Sequence, residues 1–140
     1  MSIYNVFDIA ASGMKAQSVR LTTTASNMSN ANVISGSQEA AYKPKYPVFS
    51  SVLAELNDTE FGKQPGVKVD GIYQSNLPAI KRYQPSHPLA NKEGYVFTPN
   101  VNMVEEMTNM MSASKAYRMN VEILSTTKEL MAQTLQLGKS

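Results

Sequence analysis

The chain has 140 residues, 13 Lys and Arg against 11 Asp and Glu, a net charge of +2, and no cysteine. That length holds one ordinary domain, or one small domain with accessory segments, and excludes two full cores. Without cysteine there is no disulfide, thiolate metal site or thiol nucleophile, and scattered, nearly balanced charge gives none of the concentrated basic face that nucleic-acid binding requires.

Proline and glycine divide the chain into three. All seven prolines and five of the seven glycines lie between residues 36 and 99, and because both residue types break helices the flanks are the helical candidates. The division runs 1–35, an N-terminal helix with an Asn-rich stretch; 36–100, a small β-rich module; and 101–140, a C-terminal helix. The first flank carries Ile3, Phe7, Ala10, Met14, Gln17, Leu21, Thr24, Met28 and Ala31, positions that step alternately by four and three. Most are apolar, so the spacing predicts a helix over 3–31 with one greasy seam. Thr22, Thr23 and Thr24 are poor helix formers, because β-branched side chains lose rotamer freedom there, so this helix needs a partner.

The middle segment reads as short strands at 42–49, 67–73, 79–83 and 95–98, separated by Gly, Pro and Asn or Asp signals. A β module of this size is marginal by itself. Asp58 and Glu60, before Gly62, are expected to be solvated rather than paired.

The last flank repeats the heptad stepping at Met103, Met107, Met110, Ser114, Tyr117, Val121, Leu124, Lys128, Met131 and Leu135. Its ends are marked. Asn102 is placed to cap the N-terminus, Glu105 and Glu106 complement the dipole in the first turn, and Gly138 follows the last periodic residue. The expected class is therefore α+β: long N- and C-terminal helices forming an antiparallel coiled-coil-like pair, with a small β-rich module between them. At about 1.5 Å per residue the helices reach roughly 43 and 52 Å, longer than the roughly 28 Å width of a compact 65-residue module. Two arrangements follow. Either the helices fold back onto the module as one monomeric core, or their apolar surface, with Val6, Ile9, Val19, Met111, Met119 and Ile123 outside the strict heptad line, is completed by other molecules.

Chemistry-bearing constellations are scarce. His87, the only histidine, lies between Ser86 and Pro88, without a second imidazole for a metal pair or a nucleophile elbow around the serine. None of the glycines forms a phosphate-cradling motif. The reading is of a chain with no catalytic residues, no cofactor and no metal. No run of about 18 apolar residues is available to span a bilayer. The N-terminus lacks the basic region and apolar core of a secretory signal, with Asp8 interrupting its first apolar stretch, so an exported chain is expected to keep it.

Four stretches carry a family resemblance: ASNMSNAN (25–32), AYKPKYPVF (41–49), YQPSHPLANKEGYV (83–96) and PNVNMVEEMTNMMSASKAYRMNVEIL (99–124). Together they resemble the flagellar basal-body rod proteins, and among these the C-type subunits of the proximal rod. The resemblance implies a structural subunit exported uncleaved by the flagellar type III export apparatus and built into the periplasmic rod, the axial drive shaft that transmits torque. Its implied partners are other rod subunits, neighbouring basal-body proteins and the export apparatus, with no nucleic acid. Phe7, Met14, Leu21 and Met28 on the first helix, and Met107, Met110, Tyr117, Val121, Leu124, Met131 and Leu135 on the second, are expected to carry intra- and intersubunit packing. Asn27, Asn30 and Asn32 match the axial motif, as helix-stop and contact residues. The segment 34–39 (ISGSQE) departs from the family pattern, and 49–53 (FSSVL) resembles the aromatic-to-aliphatic spacing read by an export gate. A helical-hairpin secretion adaptor or chaperone, which uses the same heptads, is the alternative.

Overall fold

A computed structural model describes residues 3–52 and 65–138. The expectations for Leu53, Asp58, Glu60 and Gly62 lie outside the described residues. In chain order the elements are α1 (Ile3–Asn30), β1 (Lys45–Val52), β2 (Gly66–Gln74), β3 (Ile80–Tyr83), β4 (Tyr95–Thr98) and α2 (Met103–Leu137). The fold is α+β, with two long terminal helices packed together and small antiparallel sheets between them.

The two helices run antiparallel. Gly13 of α1 lies against Asn120 of α2, while further along α1 the Arg20 guanidinium donates to Asn109 Oδ1 at 2.9 Å, further back along α2. A Cβ on Gly13 would approach Asn120 Nδ2 to 3.0 Å, so the absent side chain sets how closely the helices meet there. Asn102 caps α2 as its position predicts, its Oδ1 accepting from the Val104 amide at 3.1 Å. Gly138 closes the other end in a right-handed conformation, its amide donating to the Thr134 carbonyl at 3.2 Å.

The threonine run in α1 has a tertiary explanation. Thr23 and Thr24 are buried, and Thr23 Oγ1 donates back to the Val19 and Arg20 carbonyls at 3.0 Å each. Packing of the helix supplies what its intrinsic propensity lacks.

Between the helices lie two separate two-stranded antiparallel ribbons, β1 with β2 and β3 with β4. In the first, Val48 is opposite Gly71 and Phe49 opposite Val69, which leaves Asp70 as the extra residue of a bulge. This ribbon is docked on α1. Ser12 Oγ accepts from the Val67 amide at 3.1 Å while donating to the Ile9 carbonyl at 2.7 Å. Gly66 is needed beside it, because a Cβ there would come within 2.6 Å of that hydroxyl. The second ribbon supplies the buried strand residues Val96, Phe97 and Thr98. Ser35, from the segment whose sequence departs from the family pattern, exchanges both backbone hydrogen bonds with Phe97, at 2.8 and 2.9 Å, and so closes the connection from α1 over β4.

The interior is thin. Among the described residues its buried apolar side chains, prolines aside, are Ala10, Ala16, Ala31, Ala41, Val96, Phe97 and Ala113, five of them alanines. Large apolar residues lie mostly outside it, which makes the surface the informative part of the molecule.

Candidate assembly surface

On α1 the sequence-derived seam is turned inward throughout its described length. Phe7, Met14, Leu21 and Met28 are half-buried, and Ala10, Thr24 and Ala31 are buried. A second inward line, Gly13, Ala16, Arg20, Thr23 and Asn27, accompanies it, because α1 is packed by α2 and by the β1–β2 ribbon at once.

On α2 the expected seam comes apart. Met103, Met110, Leu124 and Met131 are half-buried, with Tyr117 at the margin, and they lie along the helix pairing. The line that actually alternates with them is Glu106, Ala113, Asn120 and Thr127, of which Ala113 is wholly enclosed. The line expected in that place is displaced by one residue. Met107 is exposed, Val121 is 44% exposed and Leu135 is 67% exposed. Hydropathy could not find the inner line, because it consists of small and polar residues. It points instead to the apolar positions beside it.

Exposed apolar residues on α2 gather on the two flanks of the inner seam. At about 3.6 residues per turn, Val104, Met107, Met111 and Val121 fall on one flank, and Met119, Ile123 and Leu130 on the other. Met119, Glu122, Ile123, Thr126 and Thr127 line an open groove of about 290 Å³ on the second flank. These residues are the apolar surface that α2 leaves uncovered in one copy of the chain, and the ribbons leave more, Val48, Ile72, Tyr73 and Tyr83 among it.

The three asparagines of the motif are placed differently from one another. Asn27 is fully buried, and its amide acts as a surrogate strand: Nδ2 donates to the Lys45 carbonyl and Oδ1 accepts from the Lys45 amide, both at 2.9 Å. The Tyr42 hydroxyl donates to the same Oδ1 at 2.9 Å. Asn27 therefore fixes the start of β1 on α1, where the expectation had an amide satisfying the helix end. Asn30 does meet that description, its Nδ2 donating to the Ser26 carbonyl at 2.8 Å in the last turn. Asn32 is exposed.

Glu106 is the residue whose placement the sequence reading missed. Expected as a dipole-complementing acid on the first turn of α2, it is only 2% exposed, and its Oε2 has no hydrogen-bond partner. Tyr46 of β1 faces it. The Tyr46 phenol is pushed above its ordinary value, first by burial, then by the charges of Glu106 and Glu105 and by hydrogen bonding to Glu106.

Elsewhere the chemistry is quiet. Ser86 is exposed, and His87 uses Nδ1 to accept from the Leu89 amide at 3.1 Å, which makes it a turn residue. Among the described residues no three His, Cys, Asp or Glu groups converge as a metal site, and no helix is long and apolar enough to cross a membrane.

A helical hairpin closed by alanines inside and flanked by methionine, isoleucine and leucine outside has the anatomy of a structural subunit that packs against neighbours. Comparison with known proteins gives the class. A model described as Flagella basal body rod protein matches residues 7–34, most of α1, and one described as Flagellar basal body rod FlgEFG protein C-terminal matches residues 92–137, which hold β4 and α2. Individual relatives sharpen it. The chain is 43% identical over 139 residues to the flagellar basal-body rod protein FlgC of Escherichia coli O6:H1, covering 99% of this chain and 100% of that protein. It is 45% identical to the FlgC of Yersinia enterocolitica over the same span and coverage, and 36% identical to that of Aquifex aeolicus, covering 99% of each chain. The chain belongs to the FlgC family of flagellar basal-body rod proteins.

Proposed function

We propose that this chain is a structural subunit of the proximal rod of the bacterial flagellum, held in the basal body by its terminal helices and transmitting torque along the axis. The observation that carries the reading is the displaced apolar line of α2. Residues such as Met107, Val121 and Leu135, left outside the intramolecular seam, are what an axial helix needs in order to pack against further helices. Family membership supports the rod assignment over an adaptor or chaperone.

The tripartite organisation fits that role. Segments 1–35 and 101–140 are the axial part, and 36–100 is a module docked on it through Asn27 and Ser12. We extend the reading to export: the chain passes through the flagellar type III apparatus with its N-terminus retained and joins the rod in the periplasm. A cysteine-free chain with an alanine-lined interior is suited to unfolded passage. No catalysis is assigned to it.

The test is complementation of a strain lacking the gene. The wild-type chain restores swimming and copurifies with basal bodies, and so do Ser86→Ala and His87→Ala, because neither residue is in a site. Loss of swimming in those two variants with normal amounts of protein in the rod would overturn the purely structural reading.

A further inference from the structure

Methionine is the only sulfur-bearing residue of the chain, because cysteine is absent, so an oxidant that attacks sulfur meets no thiol first. Among the described residues the methionines fall into two classes. Met14 and Met28 on α1, and Met103, Met110 and Met131 on α2, are half-buried along the helix pairing. Met107, Met111 and Met119 are 48, 65 and 55% exposed, all on the outward side of α2. Met107 and Met111 stand about one turn apart on the first flank. Met119 lines the open groove of about 290 Å³ on the second, ample room for an oxidant little larger than water. A thioether in the pairing serves the fold of one copy, whereas one on the outer face serves only what later covers it.

We infer that Met107, Met111 and Met119 are the sites at which hydrogen peroxide modifies the free chain, and that their sulfoxides keep it out of the rod. The inference rests on the rod-subunit reading and adds a regulation of its outer surface. In the modifying step the thioether sulfur attacks one peroxide oxygen. An S–O bond forms, the O–O bond breaks, sulfur gives up two electrons, and the other oxygen leaves as water carrying both protons. Each sulfoxide replaces a flexible apolar end with a strong dipole whose oxygen needs a donor. Covered by an apolar neighbour without one, it weakens that contact about tenfold or more. The fold is spared, because the methionines of the pairing are screened and the three outer ones lie beside it. Reduction by a methionine sulfoxide reductase, drawing two electrons from a dithiol, returns the thioether and with it the surface, so the block is reversible.

The first half of the test uses the purified full-length chain, treated with dilute hydrogen peroxide, quenched and mapped by peptide mass spectrometry. Met107, Met111 and Met119 are expected to gain oxygen at least about fivefold faster than Met14, Met28, Met103, Met110 and Met131, a difference that vanishes in urea. Equal rates in the folded chain overturn the inference. The second half uses a strain lacking the gene. Changing all three residues to Gln imitates the polar state, and changing all three to Leu removes the oxidisable sulfur. Gln and Leu match Met as helix formers, so both free chains are expected to melt with the wild type. Recovery of the Gln chain in basal bodies is expected to fall about tenfold, and that of the Leu chain to equal the wild type. Under peroxide given during flagellar growth, the Leu chain is expected to exceed the wild type in basal bodies, a rescue that a folding defect in the Gln chain cannot affect. A Gln chain recovered at the wild-type level, or a Leu chain no better protected than the wild type, overturns the inference and leaves the rod reading standing. Absence of the untreated wild-type chain from basal bodies overturns both.

Discussion

The inner and outer lines of α2 are one residue apart and are made of opposite materials. Inside, Ala113 and Asn120 let α1 approach closely enough for Gly13 to touch Asn120. Outside, Met107, Met111 and Val121 present bulk to solvent. Small residues serve a contact that is permanent and geometrically fixed. Large flexible ones outside it serve a surface that can adapt to whatever covers it, while methionine is found on both sides, with Met103, Met110 and Met131 along the pairing itself. Burial in one copy and apolar character thus report two different contacts, and α2 carries both.

The sharpest way to break that comparison is a pair of identical charges on the two lines. Leu124→Asp places a carboxylate in the half-buried seam facing α1, at a cost of several kcal/mol, so the free subunit loses helicity and melts early by circular dichroism and the cell does not swim. Val121→Asp, three residues away and outward, is expected to change the melting of the free subunit by less than about 0.5 kcal/mol while its recovery in basal bodies collapses. Equal destabilisation by both would mean that α2 has one seam, not two.

How much of this was legible in advance follows from what a heptad reports. The helices expected over 3–31 and 103–137, the Asn102 cap and the short strands at 79–83 and 95–98 were readable, because period, caps and breakers are local signals, whereas the pairing of those two strands was not among the expectations. The predicted first strand, 42–49, is displaced to Lys45–Val52 because Tyr42 is drawn to Asn27 and Ser26 before the ladder begins. The α1 seam was readable because its inward residues include Phe7, Met14, Leu21 and Met28. The inner line of α2 was not, since a scan for apolar residues has no reason to choose Glu106, Asn120 or Thr127 over Met107, Val121 or Leu135. Long-range partnership decides that choice, and neither the Glu106–Tyr46 encounter nor the Asn27–Lys45 pairing leaves any trace in residue spacing.

A second comparison lies within the asparagine motif, with a smaller expected effect. Asn27→Ala strips the Lys45 amide and carbonyl and the Tyr42 hydroxyl of their partner in a buried site, a loss of about 3 kcal/mol, measurable by urea unfolding. Asn32→Ala, on the surface, is expected to stay within about 0.5 kcal/mol of wild type. Asn27→Asp separates geometry from charge. It keeps the acceptor for Lys45 and Tyr42 but turns the donor into a second acceptor facing the Lys45 carbonyl, so it should fall nearer to alanine than to asparagine. If Asn27→Ala were as mild as Asn32→Ala, the β1–β2 ribbon would be held by its other contacts to α1, such as Ser12 with Val67.

The smallest effect belongs to the meeting of β1 with α2, and it shows as pH dependence. Burial and the carboxylates of Glu106 and Glu105 disfavour the Tyr46 phenolate, so the folded chain holds that proton more tightly than the unfolded chain does. The corresponding stability is fully present below the unfolded value of 10.0 and is lost as pH rises through the higher folded value. Tyr46→Phe has no proton to lose. Its stability should therefore decline less steeply than wild type above pH 10.0, with the two curves parallel below it. Glu106→Gln keeps the shape of the buried side chain while removing the carboxylate that acts more strongly on the phenol, and should flatten the same limb in part. A wild-type curve no steeper than that of Tyr46→Phe would show that the phenol and the buried carboxylate are not coupled, and that Glu106 is tolerated at the helix start through the dipole of α2 alone.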